Sequence, residues 1–370
     1  MQTDEITEQS TDPITLDEVI GRIVSGRFTH QENLTMLNKL TTQQLTSYTL
    51  DGLDPLTVIN PATFSLAYLY FITARCLEAT ENNGLHLFQM LHHFIQVFEV
   101  EQVQLAPSRF SLVGKALLYL TEVMQKPLLP LQTFKLAINR FSNNNLHELT
   151  SLHAPFLQAC ILAKAYRFPL DILTQDIEII DPKKNDIDIQ GFLEYFYYGA
   201  IIYIGNKRFG DALDSLSIVI SAPIQKAISA IQIAAYKKYV LVSLIWDGRL
   251  RALPKYTAQG VEKMCKMQAT PYINLVKAFH DTSIEKFQEI VNKSSVFEDD
   301  QHIGLVKQCF EALRRKKIKE LTRVYITVEL KEMAEKIGDM TIEELELILI
   351  DMVVSYIAII KWNFLLTRTI

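Results

Sequence analysis

Glycine and proline are scarce in this chain, 13 and 12 among 370 residues, which argues against a turn-rich β fold. Cysteine is limited to Cys76, Cys160, Cys265 and Cys309, widely separated and without a CxxC pair. That spacing spells no secreted disulfide framework, so reduced thiols of a cytosolic or nuclear protein are expected. Neither sign of charge dominates: 37 basic and 42 acidic side chains leave a net charge of −5, which argues against a whole-protein footprint for nucleic acid or acidic membranes. The opening MQTDEITEQSTDP is acidic and polar, unlike a signal or transit peptide, and the N-x-S/T triplets at Asn33 and Asn292 then read as accidental. No GxxxxGK[ST] or post-strand GxGxxG loop, no HExxH and no G-x-S-x-G elbow is present. No catalytic residue, cofactor, metal or small-molecule substrate is therefore expected, and the chain reads as a non-enzyme.

What is present is helix. Abundant Leu, Ile, Ala and Gln favour long helices, and apolar-periodic segments follow one another up to about residue 324. They include Ala62–Ala79, Leu85–Phe98, Phe110–Met124, Leu131–Phe141, Leu146–Tyr166 and Phe192–Tyr203, with breaks at Pro55, Pro61, Pro107, Pro127, Pro130, Pro169 and Pro182. The segment DPKKNDID, 181–188, is the best candidate hinge. In FLEYFYYGAIIYIGNKRFGDALDSLSIVISAP, one helix carries Phe192, Tyr195, Phe196 and Gly199, and a second buries Phe209, Ala212, Leu213, Leu216 and Ile220. The order Phe209, Ala212, Leu216, Pro223 matches the second half of a tetratricopeptide repeat. Phe209, Ala212 and Leu216 are expected to hold this hairpin, with Gly199 and Ala212 allowing close helix approach; neighbouring hairpins should stack.

Between His302 and Met352 the pattern is that of a winged-helix core. HIGLVKQCFEALRRKK places Ile303, Val306, Phe310 and Leu313 on one face, and the β-branched run Val324 to Val328 follows. ELKEMAEKIG buries Leu330, Met333, Ala334 and Ile337 and stops at Gly338. Thr341 and Glu344 spell a capping box that opens TIEELELILIDM, with Ile342, Leu345, Leu349 and Met352 inward. The basic run Arg314, Arg315, Lys316, Lys317, Lys319 and Arg323 could grip phosphates. The second helix, however, presents Glu343, Glu344, Glu346 and Asp351 and no base, which favours a solvated or protein-binding face over DNA. His86, His92 and His93 lack the ligand count and geometry for zinc and read as amphipathic packing. Tyr195, Phe196, Tyr197, Tyr198 and Tyr203 read as interhelical packing, and Asp299-Asp300 as a turn and helix start.

Several strings taken together resemble a known family. YYGAIIYIG (197–205), AYKKYVLVSLI (235–245), LPKYT (253–257), VNKSSVFEDDQHIGLVKQC (291–309) and LTRVYITVELKEMAEKIG (321–338) are similar to the subunit 3 family of the COP9 signalosome. The likeness is good from about Phe192 to Gly338 and weaker but collinear before that. The resemblance implies a mainly α PCI-domain scaffold: a TPR-like helical-repeat solenoid followed by a C-terminal winged-helix (PCI) subdomain. It implies pairing with other PCI-domain signalosome subunits and, indirectly, action on cullin-RING ligases, from which that complex removes Nedd8. Catalysis would belong to another, zinc-dependent subunit whose HxH-type motif this chain lacks. Interface function falls on the winged-helix strand, with Val324, Ile326 and Val328 as its edge. Cytoplasm and nucleus are the implied locations.

The expected organisation is a loose N-terminus 1–13, N-terminal helical repeats 14–190, the TPR-like part of the PCI domain 191–300, its winged-helix core 301–352 and an atypical apolar tail 353–370. Departure from the family begins at about Asp351, where VVSYIAIIKWNFLLTRTI continues without glycine, proline or hairpin turn, so no wing is legible and the docking edge is expected to be incomplete. As a membrane anchor, Leu347–Ile360 is too short and contains Asp351. Two alternatives stand beside the scaffold reading: a PCI subunit of the proteasome lid or a translation initiation complex, and a nucleic-acid-binding winged helix using Arg314–Arg323.

Overall fold

The structure is a computed structural model that describes residues 15–223, 227–325, 328–338 and 340–366, with side chains as far as Val354. It is mainly α, and no strand occurs among the described residues; the one β-bridge pairs Glu148 with Ile179. The chain forms two compact units, Met1–Ile202 and Tyr203–Ile370.

In the first unit, α1 (Leu16–Val24), α2 (His30–Leu37) and α3 (Thr42–Thr46) each start at a threonine capping box, and α4 (Pro55–Val58) starts on Asp54. The central helix α5 (Ser65–Leu77) is buried nearly all round, as its run of apolar residues requires. Its buried Thr73 hydroxyl returns to the helix itself, donating to the Leu69 carbonyl at 2.6 Å. Around it lie α6 (Gly84–Val97), α7 (Val100–Gln104) and α8 (Pro107–Met124), with α9 (Leu131–Phe141), α10 (His153–Leu162) and α11 (Leu170–Leu173) beyond. Tyr68, Phe94, Phe98, Phe110 and Phe141 form a continuous aromatic chain through this core, closing with Phe110 stacked on Phe141 at 4.2 Å. A Cβ on Gly114 of α8 would meet Pro155 Cγ of α10 at 3.0 Å, so glycine sets that helix spacing.

Two expectations are corrected here. The segment Leu146–Tyr166 is helical only over α10, because Pro155 sits in the first turn and bars extension backward, while Glu148 and Leu149 pair with Ile179. Residues 181–188 form a docked turn rather than a loose hinge. Asp181 accepts the amides of Lys183 and Lys184 at 3.0 Å, and the buried Asn185 donates to Glu148 and to the Leu149 carbonyl. The division between units falls instead within α12 (Ile189–Gly205).

In the second unit α13 (Phe209–Ser221) packs along α14 (Ala230–Asp247), which starts on a Ser229–Gln232 capping box. The Gln232 amide also donates to the carbonyls of Val219, Ile220 and Ala222, closing the end of α13. Then come α15 (Gln259–Gln268), α16 (Thr270–His280), α17 (Ile284–Lys293) and the single turn α18 (Val296–Asp299). The last three helices are α19 (Ile303–Val324), α20 (Leu330–Ile337) and α21 (Ile342–Leu366). The winged-helix pattern is thus realised as three helices, with Gly338 at φ +81° as the stop and the Thr341–Glu344 box in place.

Candidate functional site

The α19–α21 segment rests on α14 and α16 through a buried polar cluster. Lys237 of α14 pairs with Asp300 at 2.7 Å, and Tyr272 of α16 donates to the same carboxylate at 2.7 Å. His302, the residue that caps α19, places Nδ1 2.7 Å from the Tyr272 hydroxyl and Nε2 2.8 Å from Lys238. Burial opposes ionisation of Asp300, but the bonds from Lys237 and Tyr272 outweigh it and hold its carboxyl below the ordinary range. Burial, aided by the Lys238 charge, pushes His302 down to about 4; burial likewise pushes Lys238 down to about 8. The cluster joins residues distant in sequence, from α14, from α16 and from the turn that leads into α19. Among the described residues no group of three His, Cys, Asp or Glu side chains is placed to hold a metal ion. All four cysteines are buried, and burial pushes their thiols up, Cys160 to about 12 and Cys265 to about 11.

Four of the six basic residues in the run on α19, Arg314 to Lys317, are bonded to other residues of the chain. Lys316 Nζ donates to the carbonyls of Phe279 and His280 at the end of α16, at 2.7 and 3.3 Å. Lys317 Nζ donates to the Ile337 carbonyl at the end of α20, at 3.2 Å. Each ammonium thus satisfies an orphan carbonyl at the negative pole of a helix. Arg314 lies over the Phe310 ring and pairs with Glu311, and Arg315 pairs with Asp351 at 2.6 Å. The charge run that suggested phosphate binding therefore includes two helix C-caps and two ion pairs.

The expected strand edge is placed differently. Val324 is the last residue of α19 and is exposed, so it is helical; extended backbone begins only at Tyr325, whose amide still closes on the Leu321 carbonyl. Ile326 lies outside the described residues, and Val328 belongs to no ladder. A strand needs a partner for its backbone groups, and none is present among the described residues. Phe209, Ala212 and Leu216 are buried on α13, the helix that packs along α14. A Cβ on Gly199 would meet Leu173 of α11 at 3.0 Å, so its smallness serves that contact.

Of the four residues expected inward on α21, Ile342 is exposed and Leu349 and Met352 are half-buried. On α21 Leu345 is buried, but Leu347, Ile350, Val353 and Val354 expose 67, 60, 57 and 59% of their surface. Their spacing puts an uncovered apolar face on a helix anchored by Arg315 to Asp351. Among the described residues no helix is long and apolar enough to cross a membrane, and the side chains of the tail beyond Val354 lie outside those residues.

Residues 29–261 match the family model of the N-terminal helical repeats of COP9 signalosome complex subunit 3, and residues 279–357 match the PCI domain. The chain is 34% identical over 279 residues to the COP9 signalosome complex subunit 3 of Dictyostelium discoideum, covering 74% of this chain and 66% of that protein. With the protein of the same name from Arabidopsis thaliana it is 32% identical over 308 residues, covering 82% of this chain and 68% of that protein. The chain thus spans about two thirds of the length of these relatives.

Proposed function

The chain belongs to the COP9 signalosome complex subunit 3 family, and from that premise we propose that it is a non-catalytic scaffold subunit of the signalosome. Its work is to join sister PCI-domain subunits and so to support removal of Nedd8 from cullin-RING ligases, in cytoplasm and nucleus. The observation that carries this reading is the PCI match over 279–357, which ends on a helix presenting an uncovered apolar face. Such a face supplies the contact area that subunit association needs, on a helix that packs against α20. The buried, fully bonded cluster at Asp300 and His302 supports a positioning role over a chemical one.

Native mass spectrometry of the complex reconstituted with the other signalosome subunits tests the proposal. The expected result is stoichiometric incorporation, lost or weakened at least tenfold by Leu347→Asp with Ile350→Asp. Absence of the unaltered chain from an otherwise assembled complex at physiological salt would reject it. Strand pairing through Val324, Ile326 and Val328 is a narrower part of the proposal: it requires α19 to give up its last residue on docking. Amide exchange at Val328 that stays fast in the complete complex would remove that part alone.

A further inference from the structure

The turn between α3 and α4 carries the most exposed large apolar side chain described: Leu50 shows 90% of its surface, flanked by Tyr48 at 59% and Leu53 at 54%. A single exposed leucine is ordinary. This one differs in how firmly the backbone beneath it is held. The Leu50 amide donates to both carboxylate oxygens of Asp17 on α1, at 3.3 Å each. The Thr49 amide donates to the Leu53 carbonyl at 3.0 Å, and the Leu53 amide donates back to the Thr49 hydroxyl at 2.9 Å. Gly52 closes the turn on the Thr49 carbonyl at φ +74°, a conformation that strains other residues. From below, Arg75 of α5 donates to the Ser47 carbonyl, pairs with Asp54 and lies 4.7 Å under the Tyr48 ring.

Apolar side chains on a loop usually lose affinity to the entropy of ordering it. Here hydrogen bonds to Asp17, Thr49 and Arg75 already hold the turn in the free chain, which lowers that cost for apolar anchors. The charges identify the other side. Asp17, Asp51 and Asp54 lie in or against the turn, with Arg75 paired to Asp54, so three carboxylates meet one guanidinium there. An acidic rim of this kind repels phosphate-bearing surfaces and is complemented by lysine and arginine. We infer that the 47–53 turn is a preformed anchor that seats Leu50 and Leu53 in an apolar groove rimmed by basic residues on another protein. For the identity of that protein the inference rests on the scaffold reading, which makes it a sister signalosome subunit.

The test exploits the four buried cysteines, which leave an introduced surface thiol as the site of labelling. The full chain carrying Leu50→Cys is coupled to an environment-sensitive dye and assembled with the other signalosome subunits. The expected outcome is a blue shift and at least tenfold slower quenching by iodide on assembly. Leu50→Asp with Leu53→Asp should leave the melting temperature of the free chain unchanged and weaken its incorporation at least tenfold. A dye that stays water-exposed in a complex of complete composition overturns this inference and leaves the scaffold reading standing. If the unaltered chain enters no complex, the scaffold reading fails and the assigned partner with it. A blue shift of the chain alone as its concentration rises would assign the groove to a second copy and overturn the sister-subunit assignment.

Discussion

At the scale of single residues, the cluster around His302 converts pH into stability. His302 and the fully buried His153 are both pushed down to about 4, in each case chiefly by burial. Unfolded histidine titrates near about 6.5, so between those values the unfolded chain holds protons that the folded chain refuses. The stability they permit is complete above about pH 6.5 and falls as pH drops toward 4, by up to about 1.4 kcal/mol per pH unit for each histidine. Melting temperatures measured from pH 7 to 5 should fall, and His302→Gln should show a shallower fall than the unaltered chain; an identical slope would contradict this account. Lys316 and Lys317 make a second prediction. Lys316→Ala and Lys317→Ala each remove a charged donor from a helix C-terminus and should destabilise by about 1 kcal/mol in chemical denaturation. If the run instead served nucleic acid, these changes would leave stability unaltered and flatten a salt-dependent binding curve.

At the scale of elements, contacts between helices are set by the smallest residues. Gly114→Val should push α8 from α10 through Pro155 and Leu152, destabilising by about 1–3 kcal/mol in urea unfolding. On α21, by contrast, Leu347→Asp should change the free chain's stability by less than about 0.5 kcal/mol, because the side chain is mostly in water. Apolar patterning makes α6, α8, α9, α13, α20 and the start of α21 readable from sequence through one buried stripe each, and α5 through its continuous apolar run. The segment 146–152 is not legible as non-helical because its partners, Ile179 and Asn185, are some thirty residues away and invisible to a local pattern. Val324 misled for a related reason. β-Branched side chains favour a strand only where a neighbour completes the ladder, and here the helix of Leu313 and Ile318 continues through it. The exposed side of α21 is hidden for another reason: apolar residues stand on more than one face of TIEELELILIDM, and only Leu345 is fully buried.

At the scale of the whole molecule, a nearly balanced charge and two helical units give a protein whose distinctive surfaces are local: an acidic, leucine-tipped turn in the first unit and an apolar helix face in the second. Incorporation into the signalosome should therefore respond to changes on either surface while the free chain's unfolding transition stays in place, which paired native mass spectrometry and calorimetry would read out. The His302 cluster also bears on timing during synthesis. Lys237 and Lys238 precede their partners Asp300 and His302 by 63 and 64 residues, and the carbonyl that Lys317 caps lies 20 residues further on. Chains emerge from the ribosome from their N-terminus at about 5–20 residues per second. The repeats can pack seconds before α19 has its seat, and α19 is seated before α20 closes. A chain synthesised only as far as α18 consequently lacks the apolar face of α21, so the order of residues defers that contact until α21 has emerged.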